Sequence, residues 1–256
     1  MIKTKIQKWF ETGRELLGSL LFPSRCPICD EILEPEETNK GIHLACESKL
    51  FPIYGTVCMH CGRPIQTQEF CYECMRQGYH KKSDITQAKS LFIYKGPIKQ
   101  TMYRFKYSNK REYTDYFADV AMKNLSAWIK QHQIKQHPIE AIVPVPMYRK
   151  KQRLRGYNQA EVFAKALSKR MQIPVDTSLV KRIKDTAPQK GLNAAARANN
   201  LKNAFQKGEF VVQYKCVLVV DDIYTTGNTA EAVARELREN GARQVYLLTV
   251  CIGEDV

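Results

Sequence analysis

The stretch Val217–Thr229, VLVVDDIYTTGNT, decides how the C-terminal part of this 256-residue chain folds. Val217–Val220 are four β-favouring apolar residues that lead straight into Asp221 and Asp222, and Ile223–Thr229 then bring threonine, glycine and asparagine before a helical pattern begins. An unbroken apolar run followed by a helix reads as a buried strand of a parallel sheet. A loop entering a helix N-terminus collects unpaired backbone N–H groups and the positive end of the helix dipole. Small residues let that backbone approach a phosphate closely, threonine hydroxyls add donors, and Gly227 permits a conformation that a side chain would forbid. Two carboxylates at the end of a buried strand are costly unless compensated. Hydrogen bonds from the vicinal hydroxyls of a ribose, direct or through Mg2+, would compensate them. The element therefore reads as a grip on a phosphorylated ribose.

Outward from it, AKSLFIY (88–94), AIVPVP (141–146), CVLVV (216–220) and RQVYLLTVC (243–251) read as strands. Tyr113–Gln133 carries Phe117, Val120, Ala121, Leu125 and Trp128 on one helical face. A second helix starts at Asn158, an N-cap followed three residues later by Glu161, and a third runs from Asn228 to Asn240 before Gly241. This alternation implies an α/β domain over 85–256 with a mostly parallel sheet flanked by helices. The segment after AIVPVP, Met147–Gly156, holds Arg149, Lys150, Lys151, Arg153 and Arg155 within seven positions. At the end of a core strand such a loop is an anion site, with a solvated charge run as the alternative. Residues 185–207 are small, polar and basic, a composition that suits a lid over a site and equally a surface loop.

Residues 25–80 have a different texture, holding seven of the nine cysteines and little apolar periodicity. Such a segment needs a staple. Four pairs line up: Cys26-x-x-Cys29, His43-x-x-Cys46, Cys58-x-x-Cys61 and Cys71-x-x-Cys74. Each pair places two ligands on one tight turn, and two turns complete a tetrahedron around Zn2+. Eight ligands make two sites, most simply 26/29/43/46 and 58/61/71/74, with an interleaved pairing left open. Gly62 after Cys61 fits a metal knuckle. Cys216 and Cys251, in strands, read as packing thiols.

Residues 1–24 form an amphipathic helical lead-in that lacks the continuous apolar run of a signal peptide or a membrane span. The expected location is the cytoplasm, where thiols stay reduced, with the inner face of the membrane as the alternative. Residues 1–80 carry nine Lys/Arg against ten Asp/Glu, and residues 81–256 carry 31 against 16, so the whole net charge of +14 comes from the second part. That excess attracts polyphosphates or a nucleic-acid backbone.

VLVVDDIYTTGNT resembles the phosphoribosyl-diphosphate motif of type I phosphoribosyltransferases, and a double zinc ribbon ahead of such a domain resembles the ComF family of bacterial competence proteins. Three strings carry the second resemblance: CMHCGRP (58–64), VPVPMYRKKQRLRGYNQAE (143–161), and the spaced set Thr186, Gln189, Leu192, Arg197, Asn200, Ala204 and Phe205. Tyr157 stands where the family usually has Phe, and His43 where Cys is common. The resemblance implies that Asp221 and Asp222 hold ribose hydroxyls and act in catalysis if there is any, and that Thr225, Thr226, Gly227, Asn228 and Thr229 hold the 5-phosphate. It places pyrophosphate on the 149–155 loop and a lid at Gln189, Arg197 and Asn200. Expected cofactors are two structural Zn2+, and Mg2+ with phosphoribosyl diphosphate. Expected partners are single-stranded DNA and proteins of the competence machinery. Three functions compete: DNA handling in natural transformation with a phosphoribosyl site, a Mg-dependent phosphoribosyltransferase on a nucleobase-like acceptor, and a metal-stapled adaptor.

Overall fold

A computed structural model of the protein describes residues 23–131, 138–185, 204–208 and 213–254. The lead-in up to Phe22 and the expected lid residues Gln189, Arg197 and Asn200 lie outside these. In chain order the described elements are α1 (Leu44–Glu47), α2 (Tyr72–Gln77), β1 (Gln87–Ile93), α3 (Ile98–Tyr107), α4 (Tyr113–Gln131), β2 (Ala141–Pro144), α5 (Arg149–Arg155), α6 (Gln159–Met171), β3 (Val180–Arg182), β4 (Phe205–Lys207), β5 (Cys216–Tyr224), α7 (Asn228–Glu239) and β6 (Gln244–Ile252).

Strands β1, β6, β5 and β2 form a parallel sheet in that order. The apolar runs of β5 and β6 alternate between two cores, as the twofold periodicity of a strand requires. Leu218, Val220, Tyr246, Leu248 and Val250 pack with Phe105, Phe117 and Phe163 of α3, α4 and α6. Val217, Val219, Val245 and Leu247 pack with Val233 and Leu237 of α7. The cysteine-rich segment straddles β1 and joins both layers: Cys26 and Cys46 belong to the first core, and Cys58, Cys61, Cys71 and Cys74 to the second.

Three sequence expectations are corrected. β5 continues past Val220 to Tyr224, because Asp221, Ile223 and Tyr224 keep their ladder with Thr249, Cys251 and Ile252 of β6. The basic loop at 149–155 is helix α5, closed by Gly156 in the left-handed conformation; its Lys, Arg, Gln and Leu residues are strong helix formers. Within the expected lid, Phe205–Lys207 is strand β4, antiparallel to β3. Helix α3, not anticipated, buries Ile98, Thr101, Met102 and Phe105.

Gly62 shows why the knuckle needs glycine. Its φ is +72°, and a Cβ there would lie 2.7 Å from the Ala88 carbonyl oxygen of β1. Gly62→Ala is expected to cost about 2–4 kcal/mol, combining left-handed strain with overpacking against a strand that cannot retreat. Chemical denaturation of the zinc-loaded protein measures it.

Candidate functional site

β5 delivers Asp221 and Asp222 to the carboxyl edge of the sheet, and Thr225–Gly227 turn the chain into α7. Gly227 is the N-cap, with φ +82°. A pocket at this turn is bounded by Asp221, Tyr224–Thr229 and Thr249. Asp221 and all five predicted phosphate-loop residues therefore come together around one cavity. Asn228 takes part through its backbone at the helix start, because its Oδ1 already accepts a hydrogen bond from Tyr79 Oη at 2.7 Å.

The two carboxylates are handled differently. Asp221 Oδ1 accepts the Asp222 N–H at 2.8 Å. Burial, and then the neighbouring Asp222 charge, push its carboxyl up to about 7. Asp222 Oδ2 lies 2.9 Å from Nζ of Lys106, at the C-terminal end of α3. Burial works against the Lys106 ammonium, but Asp222 and Asp221 outweigh it and hold the lysine above its ordinary range. Lys106 is thus the local counterion of the acidic pair. No sequence signal marks it among the chain's 40 basic residues.

The segment Gly156–Gln159 holds that end of α3. Tyr157 Oη donates to the Phe105 carbonyl, and the Arg111 guanidinium caps the Tyr157 ring at 4.6 Å. Asn158 accepts from the Ala160 N–H at 3.2 Å and donates to the Val145 carbonyl at 3.0 Å, locking α6 to the end of β2. The predicted partner in the capping box, Glu161, instead pairs with Lys165 at 2.5 Å. On α5, Arg155 turns towards α3 and donates to Tyr107 Oη at 3.3 Å, and Lys151 pairs with Asp185 at 2.8 Å. Arg149, Lys150 and Arg153 are exposed.

The metal ligands sort into the adjacent pairing. Cys26, Cys29, His43 and Cys46 form one group and Cys58, Cys61, Cys71 and Cys74 the other, with the donor atoms of each group within 4.8 Å of one another. Both donor sets fit tetrahedral zinc. His43 turns Nδ1 towards Cys29 Sγ at 3.2 Å and sets Nε2 3.1 Å from the Ile32 carbonyl, the outer-shell arrangement of a ligating imidazole. The structural thiols are elsewhere as expected: Cys216 and Cys251 are buried, and burial raises both.

The second group is wired to the ligand loop. Arg63 reaches Cys71 Sγ at 3.8 Å through Nη1 and donates to the carbonyls of Thr225 at 3.1 Å and Gly253 at 3.0 Å. His60 lies 3.3 Å from Cys74 Sγ through Nδ1 and 3.1 Å from Glu231 Oε1 through Nε2. Glu231, in the first turn of α7, also accepts from Ser83 Oγ at 2.5 Å and the Asp84 N–H at 3.0 Å. Tyr79 completes the set through Asn228. Thr225, Asn228 and Glu231 are thus each held by a residue of the metal-binding segment.

Fold and site together define a double zinc ribbon joined to a domain of the phosphoribosyltransferase type. Residues 17–75 match the double zinc ribbon domain and residues 158–255 the phosphoribosyl transferase domain. Competence protein F of Haemophilus influenzae is 34% identical over 218 residues, covering 82% of this chain and 89% of that protein. The DNA utilization protein YhgH of Escherichia coli is 29% identical, covering 77% and 84%, and competence protein ComFC of Bacillus subtilis is 26% identical, covering 84% and 89%. Among solved structures, the purine phosphoribosyltransferase from Pyrococcus horikoshii is 16% identical with a TM-score of 0.32, covering 54% of this chain and 73% of that one. The chain belongs to the ComF family of competence proteins. Among the described residues no helix is long and apolar enough to cross a membrane.

Proposed function

We propose that the protein handles incoming single-stranded DNA in natural transformation and binds phosphoribosyl diphosphate, or a related phosphoribosyl ligand, at the β5–α7 turn. The observation that carries the ligand half is the acidic pair at the end of β5, with Asp221 lining a pocket at the N-terminus of α7. Ribose hydroxyls donating to Asp221 and Asp222 offset the burial that, with the Asp222 charge, raises Asp221, while the loop N–H groups and threonine hydroxyls take the 5-phosphate. The basic residues of α5 are the proposed pyrophosphate contacts, and Gln189, Arg197 and Asn200 are the proposed lid. The DNA half rests on the basic excess after residue 80 and on the names of the relatives.

The second reading, transfer of the phosphoribosyl group to a nucleobase-like acceptor, is favoured by the completeness of the acidic pair and loop. Mg2+ bound with the diphosphate would help neutralise the departing pyrophosphate, and Asp221 and Asp222 would position the sugar as charge develops at C1.

Phosphoribosyl diphosphate at about 100 times its Kd is expected to stabilise the protein by about 2.7 kcal/mol. Thermal shift reads this as a raised midpoint, and Asp221→Ala/Asp222→Ala removes it. No shift in the wild type overturns the ligand reading. A double variant that no longer binds yet transforms normally removes the ligand's relevance to DNA uptake.

A further inference from the structure

Helix α3 has a buried face, Ile98, Thr101, Met102 and Phe105, and an opposite face on which Lys99, Tyr103 and Tyr107 recur every four residues. Such spacing places them in one stripe about 12 Å long. Tyr103 and Tyr107 are 56% and 59% exposed, and Leu154 beside them on α5 is 80% exposed. The two tyrosine rings lie 5.0 Å apart at 47°. Cations accompany the rings near this helix: Lys95 over Phe51 at 4.3 Å, Lys99 over Tyr94 at 5.9 Å and Arg155 over Tyr107 at 5.0 Å. Helix α3 contains no acidic residue. The carboxylates around it are already paired with lysines: Asp222 with Lys106 of α3 itself at 2.9 Å, Asp30 with Lys110 at 2.7 Å and Glu254 with Lys95 at 3.6 Å, which leaves Lys99 of the stripe outside these pairs.

Exposed rings interleaved with cations suit a ligand that offers flat faces and a chain of negative charges at once. An acidic peptide satisfies the cations and leaves the rings wet. Duplex DNA satisfies the cations and hides its base faces. We propose that the Lys99–Tyr103–Tyr107 stripe, with Arg155, is a stacking platform for single-stranded nucleic acid. This deepens the DNA half of the function proposed above and rests on it. The platform ends at Tyr107, next to Lys106, whose ammonium reaches Asp222, so a strand lying on α3 runs towards the acidic pair of the proposed phosphoribosyl site.

Anisotropy of a fluorescein-labelled oligothymidylate tests it on the full-length, zinc-loaded protein. Tyr103→Ala/Tyr107→Ala is expected to weaken binding at least about tenfold, from stacking losses of roughly 1–3 kcal/mol per base. Tyr103→Phe/Tyr107→Phe keeps most of the affinity, because the π-face remains. Lys99→Gln lowers the slope of log affinity against log salt by about 0.7, whereas the tyrosine changes leave the slope alone. Both tyrosines are exposed, so unchanged zinc content and melting midpoint exclude misfolding as the cause. A wild type that binds no oligothymidylate sinks the DNA reading itself. A wild type that binds, with an alanine pair of equal affinity or a phenylalanine pair as weak as alanine, overturns the platform and leaves the DNA reading standing.

Discussion

Replacing Cys71 with serine is expected to abolish phosphoribosyl-diphosphate binding, whereas replacing Cys29 leaves most of it, although neither thiol lines the ligand pocket. Cys58, Cys61, Cys71 and Cys74 are at most 1% exposed and sit in one core with Val219, Tyr224 and Val233. A structural zinc of this kind contributes roughly 10–16 kcal/mol of apparent folding free energy, as much as the net stability of a whole domain. Losing it leaves buried thiols without a cation and frees Arg63, His60 and Tyr79, which hold Thr225, Glu231 and Asn228. The first cluster is anchored elsewhere: the Pro27 carbonyl accepts from Thr101 Oγ1 at 2.6 Å, and Asp30 Oδ1 accepts from Tyr113 Oη at 2.7 Å. Its loss therefore disturbs α3 and α4 and spares the loop. Calorimetry alongside zinc quantitation decides the matter. A Cys71→Ser protein that has lost one metal and still binds with native affinity would show that the loop stands without the cluster.

Gly227→Ala is the second large effect. The backbone there is left-handed, and an added Cβ would lie 2.2 Å from Tyr224 Oη and 2.7 Å from Cζ. The Tyr224 ring is 4% exposed and its hydroxyl is buried without a hydrogen-bond partner among the described residues, so it has little room to yield. The loop yields instead, and the first N–H groups of α7 move off the proposed phosphate position. Strain and overpacking together amount to about 2–4 kcal/mol, a loss of roughly thirtyfold or more in affinity if the liganded loop bears it all. Adding Tyr224→Leu separates the causes. The pair recovers the steric part and leaves the left-handed part, so the two changes are non-additive. Full additivity would mean that the ring and the glycine do not meet.

The central strand, the turn that lines the pocket and the metal ligands were legible because their signals are local. Four apolar residues running into two aspartates announce a buried strand and its exit, and a C-x-x-C turn is a chemical unit in itself. The adjacent metal pairing needed the structure, since ligand spacing alone allows interleaving. Lys106 needed it too, because its importance comes from where α3 ends relative to β5. The 149–155 segment was misread because charge density drew attention away from its helix-forming composition. His60, Arg63 and Tyr79 act over separations of 149 to 190 residues, so no window along the chain holds both partners. Glu231 is similar: on sequence it is one more acidic residue of an amphipathic helix, and only burial reveals it as a hub.

The sheet order β1-β6-β5-β2 also sets a timetable for synthesis. Of the described strands β6 is made last, yet it is the one that separates and joins β1 and β5. Until Gln244–Ile252 emerge, β1 has no strand to lie against. What it has is the segment made just before it: the Ala88 N–H donates to the His60 carbonyl at 2.7 Å, and the Ile93 N–H to the Phe51 carbonyl at 2.8 Å. The cysteine-rich segment can thus hold β1 through the translation of some 150 residues, covering part of a strand that would otherwise invite mispairing. A message cut short before codon 244 leaves β1 in that interim embrace, and the two halves of the sheet never meet.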